Sequence, residues 1–228
     1  MARELEEMPL FPLNTVLFPY ASIQLHVFEE RYREMVRLCL HEDRPFGVVL
    51  IRSGPEVGGR AEPYLVGTAC RIQRVHTYDD GRLDVHVVGE RRFRIREIDD
   101  SRPFFMGQVE PVIEHEIEDV GRAEELLSRA RTEFEMLIRR QIERQEISVK
   151  VVFPSDPVVL SFTIANLLQM ANLEKQRLLE TTDTLERVED LIPVLERHIL
   201  EAEISDAAPS ATYYRLGADD LREWITPN

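Results

Sequence analysis

The stretch LVGTACRIQRVHTYDDGRLDVHVVGERRFRIREI, Leu65–Ile98, decides how the first half of this chain folds. Two runs rich in valine, isoleucine and arginine flank Asp80-Gly81, a pair suited to the positive backbone angles of a tight hairpin turn. If those two residues alone form the turn, Tyr78 faces Leu83, His76 faces Val85 and Val75 faces His86. The imidazoles of His76 and His86 then emerge on opposite faces and cannot share a ligand, a conclusion that a longer turn or a bulge near Gln73 would reverse. Beyond the hairpin, Arg92, Arg94 and Arg96 alternate with Phe93 and Ile95. On a strand this forms one guanidinium row, either a phosphate contact or a solvated face balanced by carboxylates, and the solvated face is the preferred reading.

Working outward, FGVVLI (residues 46–51) reads as a buried strand and RSGPEVGGRAEP as a surface loop. SIQLHVF alternates like a half-buried strand. FEERYREMVRLCLHED places Phe28, Tyr32, Met35, Val36, Cys39 and Leu40 at helical spacing. In PLFPLNTVLFP, Pro9, Pro12 and Pro19 remove backbone donors, which points to an edge strand with Leu13–Phe18 as its core. FFMGQVEPV adds a strand after the hairpin. Residues 1–120 thus read as six or seven strands with one helix inserted, a β-barrel or sandwich. Apolar spacing turns helical after Gly121, and about four segments through residue 204 read as a bundle. Ser155 or Asp156, Asn172, and Thr182 or Asp183 are its candidate helix caps. Residues 205–228, with Tyr213, Tyr214 and Trp224 as possible docking points, read as a mobile tail. The fold class is α+β.

The 228 residues carry a net charge of −14 and a pI near 4.9, which argues against general nucleic-acid binding. MARELEEMPLF is too charged and too interrupted by proline for an export signal, and no window approaches the ~18 apolar residues of a membrane span, so a cytoplasmic protein is expected. Cys39 and Cys70 read as reduced core residues. Phosphate-loop and GxSxG patterns are missing, as are CxxC and HxxxH spacings, so no cofactor, metal or catalytic group is assigned. Ser148 and Lys150 could form a hydroxyl–amine pair, but nothing near them in sequence supplies an oxyanion hole, and an interhelical connection is preferred. Asp79-Asp80 and Asp99-Asp100 read as turn formers.

At LPLNTVLFPYASIQLHVFEERYREMV the chain resembles the N-terminal substrate-binding domain of Lon-type ATP-dependent proteases, and most closely the standalone bacterial Lon-domain proteins. RPFGVVLI, the Leu65–Ile98 segment and PFFMGQVEPV follow in the family's order, and the resemblance extends to about residue 203. It implies a PUA-like pseudobarrel followed by a helical bundle, a module that helps to capture unfolded or tagged polypeptides. The family's ATPase and Ser-Lys peptidase domains lie downstream of the matched region, so it implies no enzymatic activity. The expected function is therefore non-catalytic binding of unfolded or exposed hydrophobic polypeptide segments, with a separate protease as a candidate partner. Candidate contacts are Phe11, Leu13, Phe18, Tyr20, Phe28, Tyr32 and Met35, although core burial is the better expectation for most of them. Phe11, Phe18 and Tyr20, beside prolines, are expected to be partly exposed. The alternative is RNA or nucleotide-ligand binding through Arg92, Arg94 and Arg96.

Overall fold

The computed structural model describes residues 5–143, 149–151, 153–207 and 225–227. The chain forms two compact units, the first comprising Met1–Ile113 with Met170–Glu180, the second Glu114–Gln169 with Thr181–Asn228.

The first unit contains β1 (Glu6–Leu13), β2 (Ser22–Val27), α1 (Glu30–Glu42), β3 (Phe46–Ser53), β4 (Glu62–Pro63), β5 (Val66–Thr77), β6 (Leu83–Asp99) and β7 (Phe105–Pro111). These seven strands form one sheet in the order β1-β7-β6-β5-β3-β4, with β2 on β6, and β1 closes the sheet by pairing in parallel with β3. The first half of β6 lies between β2 and β5, its second half between β5 and β7. Met8, Leu10, Val49, Ala69, Phe93, Ile95 and Val109 fill the enclosed core. Here the backbone of β3 comes close to Gly67. A Cβ at Gly67 would lie 2.5 Å from the Val48 carbonyl oxygen and 2.9 Å from Phe93 Cζ. Gly67→Ala is therefore expected to cost about 1–3 kcal/mol as overpacking, read as a lower urea midpoint.

β1 lies upstream of its expected position: of the expected core Leu13–Phe18 it includes only Leu13, and Asn14–Phe18 forms no strand. Its prolines are tolerated because each half of β1 has one neighbour. Glu6–Leu10 pair with β7 and Leu10–Leu13 with β3, so Pro9 and Pro12 each keep one side of the strand without a ladder partner. Pro19 sits in a turn closed by Ala21 N–H donating to the Phe18 carbonyl (3.3 Å), and Tyr20 takes the third position with φ 67°. That turn directs Tyr20 outward and leaves it 42% exposed, while Phe18, just before it, is fully buried.

Helix α1 buries Tyr32, Met35, Val36 and Cys39, one stripe at helical spacing, but Leu40 and the preceding Phe28 lie outside it and are exposed. Cys39 and Cys70 are free thiols in the core; burial pushes the Cys39 thiol up to about 12 and the Cys70 thiol well above its ordinary value.

Helix α4 (Asn172–Glu180), which the sequence places in the bundle, packs on the sheet of the first unit. Three hydrogen bonds hold it there: Asn172 Nδ2 to the Asn14 carbonyl (2.6 Å), Gln176 Nε2 to the Val66 carbonyl (3.0 Å), and Arg92 Nη1 to the Leu179 carbonyl (2.6 Å). Asn172 is the first residue of α4, and just before it the Ala171 N–H donates to the Glu174 carboxylate at 2.9 Å.

The second unit contains α2 (Val120–Glu143), β8 (Val149–Val151), α3 (Pro157–Leu167), α5 (Thr184–Ala207) and β9 (Ile225–Pro227), with β8 and β9 paired antiparallel. Asp156 caps α3, accepting from Val159 N–H at 2.9 Å with Pro157 in the first turn, and Asp183 caps α5 by accepting from Leu185 and Glu186 N–H. Phe134, Leu137 and Ile138 of α2, Leu160, Phe162 and Ile164 of α3, and Val188, Leu191 and Leu195 of α5 form its core. Arg187 is also fully buried: its guanidinium reaches the Thr181 carbonyl (2.7 Å), Ser161 Oγ (2.9 Å) and Glu114 (3.1 Å), and lies 4.0 Å from the centre of the Phe162 ring. The Ser148–Lys150 pair and Tyr213, Tyr214 and Trp224 fall outside the residues whose side chains are described.

Candidate functional site

The β5–β6 hairpin turns over three residues, one more than Asp80-Gly81 alone. Gly81 N–H donates to the Tyr78 carbonyl and Tyr78 N–H to the Arg82 carbonyl, both at 2.9 Å, with Gly81 left-handed at φ 83°. This is the three-residue hairpin with a glycine in the bulge position. The register moves by one: Thr77 faces Leu83, His76 faces Asp84, Val75 faces Val85 and Arg74 faces His86. His76 and His86 therefore share a face, correcting the expectation from the two-residue turn. Among the described residues, however, no group of three histidine, cysteine, aspartate or glutamate side chains is placed to hold a metal.

Strand β2 continues that face, since Gln24 pairs with His86 and His26 with Asp84. The opposite face, with Leu25, Val27, Leu83, Val85 and Val87, is buried. A row of rings crosses the outer face from Phe28, just past β2, through His26 and Tyr78 to His76. Successive ring centres are 6.2, 6.1 and 4.7 Å apart. Phe28 is 47% exposed and Tyr78 37%.

Asp84 fixes the centre of the row. One carboxylate oxygen lies 2.6 Å from His26 Nδ1, and the other accepts from the Tyr78 hydroxyl at 2.6 Å. The Tyr78 bond and then His26 hold the Asp84 carboxyl below the usual carboxylate range, and the same bond raises the Tyr78 hydroxyl. Because the Asp84 value is depressed, the tie to both rings is complete above the ordinary carboxylate range and is lost as pH falls through the lowered value. Arg82 lies over the Tyr78 ring, 5.6 Å from its centre, and its Nε donates to Asp80 at 2.6 Å. Arg33 of α1 reaches the Asp80 carbonyl at 3.4 Å, joining the helix to the hairpin tip. The result is an exposed aromatic surface with carboxylates beside it.

The residues singled out from sequence divide between core and surface. Phe11, Leu13, Phe18, Tyr32 and Met35 are buried, Phe11 stacking on Tyr32 at 4.1 Å. Tyr20 and Phe28 are exposed, at opposite ends of β2 and so about 20 Å apart for a strand rising ~3.3 Å per residue. Phe11 is 7% exposed and Phe18 0%, which corrects the expectation that their neighbouring prolines would leave them open. The guanidinium row is likewise not formed: Arg92 is buried under α4, Arg94 is half-buried, and Arg96 is exposed but paired with Glu110 at 2.6 Å. A two-residue turn sets Tyr78 and His76 opposite Leu83 and Val85, on the buried face, and so hides them as surface candidates. The signal was available in Tyr-Asp-Asp-Gly, whose glycine can close a three-residue loop as readily as a two-residue one.

Residues 7–197 match the family model for the ATP-dependent protease La (LON) substrate-binding domain. Among curated proteins, the Lon protease of Heliobacterium modesticaldum is 30% identical over 209 residues, covering 87% of this chain and 25% of its own. The Lon protease of Escherichia coli K12 is 28% identical over 196 residues, covering 85% and 25%. The chain thus spans about a quarter of the length of these relatives. Among solved structures, the Lon N-terminal domain protein from Xanthomonas campestris is 30% identical with a TM-score of 0.61, covering 82% of this chain and 98% of that one. The N-terminal domain of Mycobacterium avium complex Lon protease aligns with a TM-score of 0.62 at 19% identity, over 85% and 100%, and shares the fold. With the family model matched over residues 7–197 of its 228, the chain belongs to the Lon substrate-binding domain family.

Proposed function

We propose that this chain is a non-catalytic module that captures unfolded or exposed hydrophobic segments of other polypeptides in the cytoplasm, in protein quality control or as an adaptor for a separately encoded protease. Membership of a substrate-binding family supports a binding role, and among the described residues no helix is long and apolar enough to cross a membrane. The observation that carries the siting is the exposed ring row of Phe28, His26, Tyr78 and His76. Aromatic side chains that remain in water while a carboxylate fixes their orientation lose little conformational freedom when a ligand covers them. The RNA reading has no comparable support, because Arg92 is spent on the Leu179 carbonyl and Arg96 on Glu110.

The test is capture of a permanently unfolded, reduced and alkylated model protein, measured by fluorescence anisotropy. Phe28→Ala combined with Tyr78→Ala is expected to weaken capture by roughly tenfold, each aromatic contact contributing ~0.5–1.5 kcal/mol. Thermal stability should change little, because both side chains are exposed. Undiminished capture by the double variant removes the siting. No capture by the unaltered chain removes the reading itself.

A further inference from the structure

Arg82 occupies the ring face that a client would use. Its guanidinium lies 5.6 Å from the centre of the Tyr78 ring, donates to Asp80 at 2.6 Å, and brings Nη1 to 3.5 Å from His26 Nε2. It does so from the exposed hairpin tip, with its side chain 48% accessible, so a modest rotation vacates the ring. The position therefore already accommodates a guanidinium, between an aromatic face and a carboxylate, held by a side chain that water can replace. From this we propose that the Phe28–His26–Tyr78–His76 face selects cationic segments: an arginine of an extended client displaces Arg82, stacks on Tyr78 and pairs with the vacated Asp80, while apolar neighbours cover Phe28. The inference rests on the polypeptide-capture reading and gives it a substrate class.

Charge complementarity supports that occupant. Departure of Arg82 leaves the Asp80 carboxylate available, and Asp79 beside it has no ion-pair partner among the described residues. Asp84 stays committed to His26 and Tyr78, so it orients the rings without competing for the incoming cation. Arg33, although paired with Glu30, brings Nη1 to 3.4 Å from the Asp80 carbonyl and is the basic group that opposes this selection most directly, while Arg74 lies at the far end of the face, opposite His86. At longer range the net charge of −14 draws basic segments toward the protein and repels acidic ones. Arg82 is then an internal competitor that sets a threshold, passing basic clients and resisting neutral ones.

A labelled unstructured peptide bearing phenylalanine, leucine and arginine, and versions with every arginine changed to glutamine or to glutamate, test this in the intact chain. The arginine peptide should bind about three- to tenfold more tightly than the glutamine peptide, with the glutamate peptide weaker still and the difference shrinking as salt rises. Arg82→Gln should tighten the arginine peptide by about two- to fivefold, the scale of a cation over an exposed ring. A purely structural Arg82 would move affinity the other way or not at all. Tyr78→Phe should retain the preference for arginine and Tyr78→Leu lose it, with circular dichroism confirming that both remain folded. Equal binding of all three peptides, or weaker arginine-peptide binding by Arg82→Gln, overturns the cation selection while leaving polypeptide capture standing. Failure of every peptide and of the unfolded model protein brings down both.

Discussion

Arg187→Ala is expected to destabilise the second unit by about 3–5 kcal/mol, the range for breaking a buried charge network. Arg187 is fully buried and its guanidinium serves several acceptors at once: the Thr181 carbonyl before α5, Ser161 on α3, and Glu114 on the segment entering the unit. The losses differ in size. Ser161 also donates to the Val158 carbonyl at 2.7 Å, and the Glu114 side chain is 24% accessible, so each keeps an alternative partner in protein or water. The volume beneath the Phe162 ring has no such recourse, and a cavity of that size adds its own penalty. Arg187→Met, which restores volume without the donors, should recover part of the loss, and Glu114→Gln should cost only about 1 kcal/mol, as for one weakened hydrogen bond. Urea unfolding followed by far-UV circular dichroism measures all three. A loss below about 1 kcal/mol for Arg187→Ala, inside the range of ordinary surface substitutions and single bonds, would refute its role as the unit's polar anchor.

Phe18→Ala should lower the stability of the first unit by about 3–5 kcal/mol, the cost of emptying a buried aromatic site. Phe28→Ala, at a side chain 47% exposed, should stay within about 0.5 kcal/mol. The contrast matters because both phenylalanines read as possible client contacts. Phe18 lies just before the Pro19–Tyr20 turn, where Tyr20 N–H bonds to the Gly89 carbonyl at 2.8 Å and fastens the segment to β6. A ring held there packs inward whatever its neighbours. Midpoints from urea unfolding, set beside capture of the unfolded model protein by the same variants, separate the two roles. Phe18→Ala is expected to change stability and Phe28→Ala capture; the reverse pattern would exchange core and site.

Much of the architecture is legible in local pattern. The period of two in SIQLHVF and the stripe of Tyr32, Met35, Val36 and Cys39 report burial directly, because a strand or helix with one wet face must alternate accordingly. Prolines carry less information. Pro9 and Pro12 correctly indicate missing ladder partners, yet sequence cannot say that β1 changes partner midway, from β7 to β3. The sequence places α4 in the bundle for a related reason: a short amphipathic segment records that it buries a face, not which surface receives it. The long-range bonds of Asn172 to the Asn14 carbonyl, of Gln176 to the Val66 carbonyl and of Arg92 to the Leu179 carbonyl place it on the first unit.

By itself the sequence determined the element types, the acidic character and the family resemblance, since these depend on residue patterns that act over one or two turns of chain. Tertiary structure decided what faces water. A three-residue turn in place of two flips the side chains of one hairpin strand relative to those of the other. That single shift brings His76 and Tyr78 beside His26 and Phe28, and the long-range pairing of β2 with β6 completes a surface whose parts lie some fifty residues apart in the chain.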